Sequence, residues 1–164
     1  MPANANWARW IYASLADYLK EVADDASLPI FVESLDDRGT AFQEATDRAE
    51  IRINGPFTNE LSRGYYKILV DANVLVSSRY DGKTKNGYEL TRILGLFHEA
   101  MDSVIPVFKH GLQPGDDSEA QLGCLSPKAG KNENVRVLHF GQIDRTDRVK
   151  QGAVDARYIM YLND

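Results

Sequence analysis

The chain has 164 residues, 43 % hydrophobic and 26 % charged, a balance that excludes wholesale disorder and allows one domain, 1–164, whose core needs no disulfide or metal. A formal net charge of −5 and a pI near 5.2 lack the basic footprint of a sequence-specific nucleic-acid binder. No apolar run reaches the ~18–20 residues of a membrane span, the first residues lack the pattern of a secretory signal, and the one cysteine, Cys124, fits a reducing compartment.

Trp7, Trp10, Ile11, Ser14, Leu15, Tyr18, Leu19 and Val22 recur at three- and four-residue spacing, which predicts an amphipathic helix capped by Asn4 or Asn6 and fraying at Asp24-Asp25. Two tryptophans so placed are read as core rather than as interface anchors. Residues 30–35 form a short edge or first strand behind Pro29, ending at the turn Asp36-Asp37-Arg38-Gly39. Residues 40–48 have little pattern and read as a loop. Glu50-Ile51-Arg52-Ile53 alternates, and Asn54-Gly55-Pro56 breaks it.

Tyr65–Arg79 carries Tyr66, Ile68, Val70, Ala72, Val74 and Val76 on one parity and mixed residues on the other. That alternation lasts about twice the usual strand length and marks a sheet covered on one side. A strand so long is expected to project as a hairpin arm or to pair with another chain. A loop carrying Lys83 and Lys85 follows, then a second helix opened by Asn86 and Glu89 as a capping box, with Leu90, Ile93, Leu94, Phe97 and Met101 buried. Residues 104–110 read as a strand with Pro106 at an edge or bulge, and 111–118 as a surface loop. Strands are expected at 121–126, 135–143 and 153–162, separated by a turn at 127–134 and a charged connector at 144–151. In the last strand Val154, Ala156, Tyr158, Met160 and Leu162 share a face. The fold class is therefore α+β: a mostly antiparallel or mixed sheet, two main helices packed on it, and one long hairpin-forming strand.

No residue set points to chemistry. His98, His110 and His139 lack metal-ligand spacing, and no HExxH or CxxC occurs. Asp24-Asp25, Asp36-Asp37 and Asp116-Asp117 with Glu119 read as solvated turns rather than halves of a cation or acid–base site. Cys124, in Leu-Gly-Cys-Leu, reads as a small buried hydrophobe. The GxSxG, GxGxxG and P-loop motifs are absent, and Lys128-Ala129-Gly130-Lys131 is too short for the last. Basic residues fall in three loops, Arg79, Lys83 and Lys85, then Lys128 and Lys131, then Arg145, Arg148 and Lys150. Tyr80 or Tyr88 nearby suits a nucleic-acid contact, but acids beside each group favour solvated tips. The expectation is no catalytic, cofactor-binding or metal-binding residue, and no enzyme.

The element order resembles that of the tail terminator proteins of long-tailed bacteriophages. The likeness runs through the helix at 7–22, the strands at 51–53 and Tyr65–Arg79, the helix at 90–101, and the strands at 135–143 and 153–162. Asn-Trp-Ala-Arg-Trp-Ile at 6–11 and His-Phe-Gly-Gln-Ile at 139–143 are similar to pieces of small virion proteins of the neck and tail. The resemblance implies a homo-oligomeric ring, six copies, that caps the tail tube and presents a surface to the head–tail connector. DNA would pass through without specific binding, and the protein would reside in the virion after assembly in the host cytoplasm. On the residues, the long strand would extend a sheet between copies by β-augmentation, and an acidic lumen would let DNA slide. Two alternatives stand: a neighbouring neck or head-completion protein, and a small ligand-binding module or enzyme using scattered residues such as His98, Asp71 and His139.

Overall fold

A computed structural model describes residues 5–32, 47–80, 88–109, 120–127, 135–142 and 148–163. The elements are α1 (Asn6–Asp25), β1 (Ile30–Val32), β2 (Asp47–Ser62), β3 (Tyr65–Arg79), α2 (Tyr88–Met101), β4 (Ile105–Phe108), β5 (Gln121–Pro127), β6 (Val135–Gln142) and β7 (Val149–Asn163). The fold is α+β: two helices on a curled mixed sheet of seven strands.

Sheet order is β1-β2-β3-β7-β5-β4, with β6 also on β7. β1 runs parallel to β2, and every other pairing is antiparallel. β3 and β7 pair over their full length, from Tyr65 opposite Asn163 to Arg79 opposite Val149. β5 and β6 meet the other edge of β7 one after the other, Pro127 opposite Tyr158 and Val135 opposite Ala156. The turn between β2 and β3 is Arg63-Gly64, where Gly64 takes a positive φ of 74° and donates its N–H to Glu60.

The alternation in β3 and β7 reports burial. Ile68, Val70, Val74, Val154 and Tyr158 are wholly buried beneath the helices, whereas Lys67, Leu69, Asp71, Asn73 and Leu75 on the other parity are half-exposed. Trp7 packs edge-on against Tyr66 with ring centroids 5.2 Å apart and belongs to the core, as its spacing implies. α1 packs on β2 and β4, α2 on β3, β6 and β7, and the helices touch each other. Polar contacts pin both helices. The backbone N–H of Phe108 donates to Ser14 Oγ at 3.0 Å, joining α1 to β4. Tyr18 and Tyr158 donate their hydroxyls to the carbonyls of Ala100 and Met101 at 2.9 and 2.8 Å. These are the last two residues of α2, whose carbonyls have no partner within the helix. Gly152 lies under α2: a Cβ there would stand 2.6 Å from Leu94 Cδ1 and 2.8 Å from the Leu138 carbonyl, so only glycine permits that approach.

Several local expectations need correction. Asn6 is the first helical residue of α1, and Ala5 stands at the cap position with helical φ and ψ and no side-chain cap of its own. Asn4, like Asn86 and residues 33–46, 110–119 and 128–134, lies outside the described residues. Asp47 and Arg48, read as loop, open β2, and 149–151, read as connector, open β7. Gly55-Pro56 does not end its strand. An extra residue between Asn54 and Phe57 forms a bulge, with Gly55 at φ 108°, and pairing with β3 resumes at Phe57 opposite Leu69. Beyond it β2 outruns the helical layer, both its faces are wet, and no apolar alternation betrays it. Pro106 does sit on the sheet's edge strand, next to a bulge at Val107/Phe108, as its side chain demands.

Candidate functional site

Of the two outcomes expected of Tyr65–Arg79, a hairpin arm or pairing with another chain, the strand forms a hairpin with β2 and its own edges are not where a neighbour would pair. β2 covers one edge of β3 and β7 the other, so no backbone donors remain for a neighbour. The open margins lie elsewhere. Among the described residues no strand lies beyond β6. Nor does one lie beyond β2 past Ile51, where β1 stops.

Both margins carry exposed apolar side chains. Val137 and Phe140 on β6 are 37 % and 56 % exposed, and Phe57 and Leu61 on β2 are 56 % and 49 % exposed. Residues 135–142 include neither Pro nor Lys, the usual edge-blunting devices, and are interrupted by a bulge at His139/Gly141. On β2 the ladder is regular from Phe57 to Glu60, between two bulges.

The face of the sheet away from the helices has no described element over it. It carries a ladder of paired charges. Arg157 donates through Nε and Nη2 to Asp71 at 2.7 and 3.0 Å, and this raises the guanidinium pKa above its ordinary value. Asn73 Nδ2 donates to Asp155, which also faces Arg136 at 3.6 Å, and Glu50 lies 3.7 Å from Arg52. Each carboxylate here has an arginine beside it. Among the described residues, the charges of this face are therefore matched. Asp17, Glu21, Asp24 and Asp25 are exposed on α1, on the helical side.

Toward the hairpin end this face turns aromatic. Tyr65 and Tyr161 stack at 5.9 Å, and beside Tyr161 an open groove of about 430 Å³ is lined by Lys67, Cys124, Ser126, Pro127 and Ile159. Cys124 is half-exposed on that groove and accepts a hydrogen bond from Gln121 Nε2 at 3.0 Å, so it is not the buried hydrophobe its setting implied. The groove holds no acid–base pair: its polar groups are a lysine, a thiol, a serine and a phenol.

Of the scattered residues of the enzyme alternative, Asp71 lies on the other face of the sheet from His98 and His139. Asp71 lies on the open face and is engaged by Arg157, whereas His98 is on α2 in the helical layer beyond the sheet. His139 is on the β6 margin, on the parity opposite Gly152. His110, Asp36, Asp37, Asp116, Asp117, Glu119, Lys83, Lys85, Lys128, Lys131 and Arg145 lie outside the described residues. Of the basic groups that are described, the fold gathers Arg79, Arg148 and Lys150 at one end of the sheet. Lys150 Nζ stands 4.8 Å over the Tyr80 ring, and Tyr80 donates its hydroxyl to Gln142 Oε1 and its N–H to the Arg148 carbonyl.

Among the described residues no group of three or more His, Cys, Asp or Glu side chains could hold a metal ion. No described helix is long and apolar enough to cross a membrane. Comparison with family models and with curated proteins finds no match.

Proposed function

We propose that the chain is a structural subunit of a bacteriophage virion, a tail terminator that forms a ring at the head–tail junction, capping the tail tube and meeting the connector. One observation carries this reading: a sheet of long, alternately running strands, clad by helices on one face and, among the described residues, open at the β6 margin and along β2 past Ile51. Such a subunit has two different unsatisfied edges, which is what a cyclic assembly with one repeated head-to-tail interface requires. The order of the pieces supports it too, with an amphipathic helix, a long hairpin, a second helix and paired late strands. On this reading DNA slides past a wall of matched charges if the open face lines the channel. A neutral wall neither grips phosphate nor repels it strongly.

The test is electron microscopy of the purified protein with and without a candidate tail-tube protein. Rings of uniform copy number, alone or seated on tube ends, are the expected result. Particles that stay single at every concentration and ignore the tube would overturn the proposal. A neck or head-completion role would instead appear as rings that bind portal-side partners and leave tube ends bare.

A further inference from the structure

We propose that the copies join by adding β6 of one subunit to the margin of β2 of the next that no described residue covers, residues 135–138 running antiparallel to 57–60. This rests on the reading of the chain as a self-assembling subunit and specifies its interface.

Strand sense makes the first argument. β1, β2 and β7 run one way, and β3 and β6 the other. Residues 135–138 lie level with 50–53 of their own β2, so a rotation about an axis inclined by roughly 45° to the strands, as in a closed barrel, preserves each sense and supplies the stagger by which β6 meets the β2 side of a neighbour antiparallel at 57–60. The second argument is register. In β6, Leu138 falls on the open face, opposite Ala153, and Val137 on the helical face, opposite Val154. In β2, Phe57 is on the open face, opposite Leu69, and Thr58 on the helical face, opposite Ile68. Pairing Leu138 with Phe57 and Val137 with Thr58 therefore keeps both faces continuous across the junction and matches apolar with apolar and branched with branched. Each partner section is free of bulges. A β6–β6 contact about a two-fold axis would also be antiparallel, but it would leave Phe57 and Leu61 exposed.

The contact is slight. A section of four residues spans roughly 14 Å, too short a strand to bury the ~800 Å² per partner typical of stable complexes. Single contacts thus break readily, and assembly favours high concentration, ring closure or a tube end as template.

The test uses full-length protein carrying Cys124→Ser, to which Leu138→Cys is added in one preparation and Phe57→Cys in another, oxidised separately and mixed at high concentration. A disulfide dimer that forms strongly only in the mixture is expected. Dimers of the Leu138→Cys protein alone, at equal or greater yield, would overturn the proposal in favour of two-fold pairing. No cross-link in the mixture, while both variants keep the parent's circular dichroism and melting temperature, would overturn it outright. The variant with both cysteines in one chain separates this pairing from the ring. A cross-linked ladder that stops at one copy number supports both. An unlimited ladder supports the pairing and refutes the ring, and rings in the microscope without cross-links keep the ring and refute the pairing.

Discussion

Replacing Tyr158 by phenylalanine removes one oxygen from a buried polar contact between β7 and α2. Tyr158 is fully enclosed, and its hydroxyl donates at 2.8 Å to the carbonyl of Met101, the last residue of α2. With the oxygen gone, that carbonyl loses its partner at a helix end, at a cost of about 1–2 kcal/mol. For a protein of this size the melting temperature should fall by roughly 2–8 °C. The same residue shapes the alkaline limb. Burial, with lesser contributions from Tyr18 and Asp102, pushes the phenol well above its ordinary value. Tyrosine is neutral when protonated, so this shift leaves stability untouched below the unfolded-state value of about 10. Above it the unfolded chain binds fewer protons than the native one, and stability falls by up to ~1.4 kcal/mol per pH unit. Urea unfolding of both proteins between pH 7 and 11 reads both effects. The variant should be weaker at pH 7, and the gap should close as pH rises because a phenylalanine ring has no proton to lose. Equal stability at pH 7 together with parallel alkaline limbs would refute the reasoning.

Val74, fully enclosed in β3, should not tolerate a carboxylate: Val74→Asp buries an unpaired charge and should leave the chain unfolded by circular dichroism at 25 °C. Gly152→Ala drives a methyl against Leu94 and the Leu138 carbonyl and should cost about 1–3 kcal/mol in urea unfolding. Ser14→Ala strips the acceptor from the Phe108 N–H and should cost about 1 kcal/mol, read as a lower urea midpoint with unchanged slope. Asp71→Asn breaks an ion pair whose arginine is freely solvated, so differential scanning calorimetry should register no change in melting temperature beyond error.

The parts of the fold legible in the sequence are those where one side of an element is dry. The stripe of α1 and the parities of β3 and β7 record the helical layer on one face of the sheet, so period and burial coincide residue by residue. β2 is visible only as 50–53, because past Gly55-Pro56 both its faces meet water and Phe-Thr-Asn-Glu carries no period. β6 reads as a strand from Val-Arg-Val-Leu, but its place at the margin depends on β7 pairing with β3 instead, a choice made over some seventy to a hundred residues of separation. The Asp71–Arg157 pair, 86 residues apart, is invisible for the same reason. The long strand is read correctly as part of a hairpin and misleads only where it is expected to pair with another chain. Seen alone its length reads as surplus, whereas two other strands of like length, β2 and β7, flank it.

The position of β7 in the chain sets a timetable for the protein's birth. This strand holds β3 along its whole length and supplies the seats of β5 and β6, yet it follows all of them in the order of synthesis. Until it leaves the ribosome, β3 has one bare edge and α2 lacks its main seat. β6 then has nothing to lie against, so the margin proposed to recruit a neighbour does not exist on a nascent chain. Folding therefore waits on contacts of long sequence separation, which are slow to form. On the proposed pairing, a polysome crowded with half-made copies would be kept from polymerising on itself, and competence to assemble would come only with the strand that closes the sheet.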